Sequence, residues 1–214
     1  MRFQDRVEAG RRLGEQLAAA GEYADAVVLG LPRGGVVVAA EVARALGAPL
    51  DVIVIRKLGV PYQPELAMGA VGEGGVRVLN EEVLTAAQIS DEQLAEVERA
   101  QRQEVEERVR RLRRGAEPVP VQGRTVLVVD DGVATGATAR AACEVARRQG
   151  AARVVLAVPV AAAQAVDELL TVADEVVALE EPLLLGAIGE WYDDFSQTSD
   201  AEVAELLHAA AARE

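Results

Sequence analysis

The sequence predicts an α/β fold, a doubly wound parallel sheet covered by helices on both faces. Short runs of Val, Leu and Ile alternate with helical stretches, as expected of strands buried from both sides. Three of those runs end in polar or Gly-rich sequence, and open α/β sheets gather ligands at the carboxyl ends of their strands. The chain has 214 residues, enough for one domain spanning 1–214. Half of it is hydrophobic but only 3% aromatic, so Val, Ala and Leu must build the interior.

Residues 3 to about 20 read as an amphipathic helix with Val7, Leu13 and Leu17 near one face. "AVVLGL" (26–31) is a buried strand that ends in the breaker "PRGG" (32–35). "VVVAAEVARALG" (36–47) is a helix closed by Gly47, and "LDVIVI" (50–55) is a second buried strand ending at Arg56 and Lys57. Residues 57–76 hold five glycines and two prolines, too many breakers for a regular element. That segment is expected to be a lid-like loop beside the ligand site, with a surface hairpin lacking any task as the alternative.

Residues 90–114 form the clearest helix, opened by a capping box of Ser90 and Gln93 and stopped by Gly115. Its arginine-dense end suits the helix macrodipole, and glutamates one turn upstream balance it, which favours a solvated face over nucleic-acid binding. Its apolar stripe (Leu94, Val97, Val105, Val109, Leu112) would serve a homodimer or its own domain equally well. The alternation then resumes with "TVLVVD" (125–130), a helix at 137–150, "RVVLAVPV" (153–160), a helix at 161–170 and "DEVVAL" (174–179). Ser199 or Asp200 caps a last helix, "DAEVAELLHAAAARE".

Charge and composition exclude several classes of function. Lys and Arg number 22 against 35 Asp and Glu, a formal net charge of -13. So acidic a chain repels nucleic acid and anionic lipid at long range, and an anionic ligand must be held by local features. A single cysteine, Cys143, excludes an internal disulfide or a multi-cysteine metal site. The charged start lacks an apolar signal core, and no apolar run approaches the ~20 residues that span a bilayer. A cytoplasmic protein with no membrane contact is the expectation.

The stretch "VLVVDDGVATGAT" (126–138) poses the chemical question. A hydrophobic strand meets a helix N-terminus there, so successive N–H groups of Ala134, Thr135, Gly136, Ala137 and Thr138 are placed to surround one anion. Two carboxylates, Asp130 and Asp131, stand immediately before this cradle and would repel the ligand it attracts. The contradiction disappears if one molecule carries both groups. Vicinal hydroxyls donate to the acids and a phosphate takes the amides, which describes a sugar phosphate.

The same residues resemble the phosphoribosyl pyrophosphate (PRPP) motif of the type I phosphoribosyltransferases. That resemblance implies ribose binding by Asp130 and Asp131 and 5'-phosphate binding by residues 134–138. "LPRGG" (31–35) is similar to the family's diphosphate loop, which would assign Arg33, Gly34 and Gly35 to the leaving group, with a cis peptide bond at Pro32–Arg33. Arg56 and Lys57 fall where the family often places further basic contacts, and the segment from Leu58 falls at its mobile catalytic loop. The implied catalytic set is Arg33, Lys57, Asp130 and Asp131. The implied fold is a core at about 21–180 with a small hood from about 1–20, about 180–214 and the flexible loop. Mg2+ is the implied cofactor, carried mainly by ligand and water near the two acids rather than by direct protein ligands.

For the acceptor, Trp191 and Tyr192 are the candidates, since with Phe195 they hold half of the six aromatics and would stack on a planar base. They would equally plug a gap between hood and core. Asp193 and Asp194 read as solvated, and His208 as a surface or packing residue. Hypoxanthine-type members of the family carry an aspartate where this chain has Ala134, which argues against hypoxanthine or guanine. Glu65 and Glu73 are the candidate general bases, if one is needed. The leading function is transfer of a phosphoribosyl group from PRPP to a small nitrogenous acceptor with release of diphosphate. The alternative is a PRPP- or nucleotide-sensing regulator on the same fold, whose contacts would be identical.

Overall fold

A computed structural model describes residues 2–212; the last two residues of the expected C-terminal helix lie outside that range. The central sheet has five parallel strands: β1 (Val27–Gly30), β2 (Leu50–Val52), β6 (Thr125–Val129), β7 (Arg153–Val160) and β8 (Glu175–Glu180). Their spatial order is β2-β1-β6-β7-β8. Alternate side chains explain why these strands read as unbroken apolar runs. Val28 of β1 enters the core under α1 (Arg6–Ala20), α2 (Gly34–Leu46) and α7 (Asp200–Ala211). Its neighbours Val27 and Leu29 enter the opposite core, under α5 (Ala137–Arg148) and α6 (Ala163–Leu169). The chain leaves β1 toward β2 on one side and returns to β6 on the other, so the order reverses between β1 and β6. Both predicted ligand loops follow these two strands. That is the position at which doubly wound sheets open a crevice.

Two expectations need correction. The apolar run 50–55 is not one strand: β2 ends at Val52, and Ile55 begins β3 (Ile55–Val60) in a second sheet. Apolarity continues through the break, so the change of sheet leaves no mark in the sequence. The segment 57–76 is not an irregular loop. It pairs β3 with β4 (Gln63–Gly72) as an antiparallel hairpin, and β5 (Arg77–Leu79) adds a third strand. Gly74 and Gly75 do turn the chain, at φ 70° and 75°, but Gly59, Gly69 and Gly72 serve close packing instead. A Cβ on Gly59 would lie 2.5 Å from the Pro64 carbonyl oxygen, and one on Gly69 would lie 2.4 Å from that of Val78. Leu58, Val60, Met68 and Val71 bury the inner face of the hairpin.

A short helix, α3 (Glu81–Ala86), leads to α4 (Asp91–Arg113), whose capping box is present as expected and whose chain reverses at Arg114 with φ 50°. The apolar stripe of α4 packs into the core of its own chain, with Val105 and Leu112 fully buried. Its arginine-rich end is less solvated than the sequence implied. Arg113 is buried and grips both carboxylate oxygens of Asp51 at 2.9 Å, and it also pairs with Glu73. Glu73 is thereby taken up in a structural ion pair remote from the acids, while Glu65 is exposed on β4.

The terminal segments meet as well. Phe3 donates its amide to the Trp191 carbonyl at 2.7 Å and bridges Tyr192 in parallel register. Helices α1 and α7 themselves lie in the helical layer against α2.

Candidate active site

The two motifs, far apart in sequence, touch. Beyond β1 the Leu31 amide donates to the Val129 carbonyl at 2.8 Å, which ties the first loop to the end of β6. The Pro32–Arg33 bond is cis, as the resemblance implied. Gly34 and Gly35 then start α2 directly against the acids. A Cβ on Gly34 would sit 2.1 Å from Asp131 Oδ2, and one on Gly35 would sit 2.9 Å from both Asp130 Oδ1 and the Val129 carbonyl oxygen. Any side chain here would separate the loops, so glycine is required by contact rather than by turn geometry.

Asp130 is half-buried at the end of β6 and accepts the Asp131 amide on Oδ1 at 2.9 Å. Burial, and then the neighbouring charge of Asp131, pushes its carboxyl well above the usual range. Asp131 has found a cation. Arg6 of α1 donates Nε to its Oδ2 at 2.7 Å with both side chains largely shielded, although the two residues are 125 apart. Arg6 also donates to the Ser196 carbonyl at 2.8 Å, and its guanidinium lies 3.9 Å above the Phe195 ring. The sequence reading missed Arg6 as a site residue, because only the fold brings the first helix against the sixth strand.

The cradle follows. Val133 anchors the loop through its amide to the Val160 carbonyl at 2.9 Å, Gly136 caps α5 with φ 78°, and no side chain caps that helix. Its first amides thus lack a protein side-chain acceptor, while Thr135, Ala137 and Thr138 are exposed. Anions favour such a helix start because the unpaired N–H groups and the helix dipole point the same way.

The basic residues divide. Arg33 is exposed beside the crevice. Arg56 and Lys57 are consecutive in β3, so they project to opposite faces of the hairpin rather than both flanking one strand end. Arg56 faces α4, where it pairs with Glu104 at 3.4 Å. Lys57 lines a cleft of about 510 Å³ with Asn80 and with Ala137, Arg140 and Glu144 of α5. Lys57 therefore faces α5, whereas Arg56 lies on the α4 side.

The aromatic candidates also change role. Tyr192 is 2% exposed, its ring packed against Phe3 and Phe195, and its hydroxyl donates to the Asp131 carbonyl at 2.6 Å. It supports the acid loop and has no free face for a base. Trp191 is half-buried beside it. Asp193 forms an exposed ion pair with Arg2, and His208 is exposed in the last turn of α7. Cys143 is buried in α5, and burial pushes its thiol up to about 12.

Comparison with known proteins agrees with this geometry. Residues 3–182 match the phosphoribosyl transferase domain family. The chain is 54% identical over 208 residues to the Mycobacterium tuberculosis H37Rv protein Rv0571c, whose name assigns it provisionally to the phosphoribosyl transferases; the match covers 97% of this chain and 47% of that protein. The same match is found in strain CDC 1551. The chain thus spans about half the length of these curated relatives. The crystal structure of TT1426 from Thermus thermophilus is 48% identical, superposes with a TM-score of 0.86, and is covered to 98% by 97% of this chain.

Proposed function

The chain belongs to the phosphoribosyl transferase domain family, and from that premise we propose that it transfers the phosphoribosyl group of PRPP to a small nitrogenous acceptor, releasing diphosphate. One observation carries the reading. Gly34 and Gly35 abut Asp131 and Asp130, so a loop suited to diphosphate and a loop suited to ribose 5-phosphate share one crevice.

In this reading Asp130 and Asp131 accept the ribose 2'- and 3'-hydroxyls, and the amides of 134–138 with the Thr135 and Thr138 hydroxyls hold the 5'-phosphate. Arg33 and the Gly34 and Gly35 amides receive the diphosphate. As the C1–O bond lengthens, negative charge grows on the departing oxygens and positive charge on the ring. These residues act by holding the sugar still, meeting the departing anion and limiting water. The acceptor nitrogen attacks C1 from the opposite side, the C1–O bond to diphosphate breaks, and the proton of the acceptor nitrogen passes to solvent. Arg6 donates to Asp131, and its bond to Oδ2 must lengthen or be shared when a hydroxyl donates there.

The acid pair also fits a bound cation. Two carboxylates, one of them raised by burial and by its neighbour, are relieved by positive charge brought with the ligand. Mg2+ would be held near Asp130 and Asp131 through ligand oxygens and water, and would supply charge neutralisation on the diphosphate. The alanine at 134 directs the acceptor away from hypoxanthine and guanine. The net charge of -13 argues against nucleic acid as partner. No described helix is long and apolar enough to cross a membrane.

Diphosphate release from PRPP with magnesium, measured over a panel of bases and amines, tests the proposal. Turnover with one acceptor is the expected result. Tight PRPP binding with no turnover on any acceptor would instead support the sensing function.

A further inference from the structure

We propose that Arg108, presented by α4, is a further binding residue for the departing diphosphate, acting with Arg56 opposite the Arg33 loop. The inference rests on the phosphoribosyl-transfer reading and extends its anion site to a helix that the two sequence motifs do not include.

Helix α4 packs against both β3, which carries Arg56, and α7, and the charge of Arg56 reaches Arg108. The Nε atoms of Arg56 and Arg108 are both shut off from solvent, and neither finds an acceptor among the described residues. A buried donor without a partner is uncommon because its lost hydration is not replaced. Two in neighbouring guanidinium groups suggest a shared acceptor that arrives from outside.

The charges point the same way. Arg108 lies 3.9 Å from Asp200, which is engaged more closely by Arg111 at 2.9 Å. Among the described residues Arg56 pairs only with the exposed Glu104, at 3.4 Å. Burial and the charges of Arg56, Arg33 and Arg111 push the Arg108 guanidinium downward against the pull of Asp200. Arg33 is thus within electrostatic reach of this pair. In a chain with a net charge of -13, Arg56, Arg108 and Arg111 gather here around only two carboxylates among the described residues, Glu104 and Asp200. Their repulsion is offset when a polyanion enters. Guanidinium groups suit diphosphate in particular, since their planar N–H pairs match its oxygens.

The test titrates the full chain with inorganic diphosphate plus magnesium, and separately with ribose 5-phosphate and PRPP. Arg108→Gln should weaken diphosphate binding by roughly tenfold or more, the loss expected for one charge-assisted contact, and leave ribose 5-phosphate binding unchanged. Arg110→Gln, which alters an exposed arginine of the same helix, should change neither. If Arg108→Gln fails to fold, Arg108→Lys keeps the charge but removes the Nε donor and should still lower diphosphate affinity. Unchanged diphosphate affinity in a folded Arg108 variant overturns the inference, as does equal loss of both ligands alongside a lowered Tm. A wild-type chain that binds PRPP but not diphosphate overturns this inference alone. One that binds neither PRPP nor ribose 5-phosphate overturns the proposed function with it.

Discussion

At Asp130 the demands of folding and of binding oppose each other. Its carboxyl is raised by burial and by Asp131, so folding strengthens its hold on a proton. Ionisation therefore withdraws stability as pH climbs from the ordinary aspartate range through the raised value. Asp130→Asn never ionises, and the variant should melt above the wild type at about pH 7.5, with the gap closing by about pH 4. PRPP affinity should fall in the same variant. Thermal melts across that range check the first part, and a Tm below wild type at neutral pH would contradict it. Gly35 makes the complementary point. An added Cβ would meet Val129 and Asp130 backbone atoms at 2.9 Å, and backbone cannot swing aside as a long side chain does. Gly35→Ala should lower PRPP affinity by roughly tenfold or more, about 1.4 kcal/mol, as measured by calorimetry. The acid pair, the cradle and the glycines were legible in the sequence because each is a local pattern. Arg6 and the support given by Tyr192 were not, since both contacts join distant segments.

Elements show where local reading succeeds and where it fails. Helix α4 announces itself through Ser90, Gln93, acidic first-turn residues and a basic last turn, and each feature acts within a few residues. Ser90→Ala removes the side chain that accepts the Gln93 amide and should cost about 1 kcal/mol, lowering Tm by about 3 °C. Diphosphate binding should be unaffected, because the cap lies at the opposite end of α4 from Arg108. A calorimetric melt combined with a titration tests both statements. The β3–β4 hairpin stood only as the alternative to a loop, for the opposite reason. Its glycines look like breakers in one dimension, and only the approach of Pro64 and Val78 reveals why side chains are excluded there. Arg113 follows the same logic: a macrodipole argument accounts for a basic helix end, but the buried Asp51 that receives this one is supplied by another strand.

Over the whole molecule, the parallel sheet converts two short motifs into one site. Val27 and Val28 pair with Val126 and Leu127 in register, and this adjacency of β1 and β6 delivers both loops to the same edge. The alternation of apolar strands and helices was sufficient to predict that architecture, because double burial writes itself into every strand. It could not predict that α1 would reach the acids or that α4 would pack against β3, as both depend on how helices pack in three dimensions. The most direct measurement of the central claim is calorimetric titration of PRPP with magnesium into the wild type and an Asp130→Asn/Asp131→Asn double variant. The account predicts an affinity at least about a hundredfold weaker in the folded variant, the loss of two charge-assisted hydrogen-bond partners. An unchanged dissociation constant would contradict it.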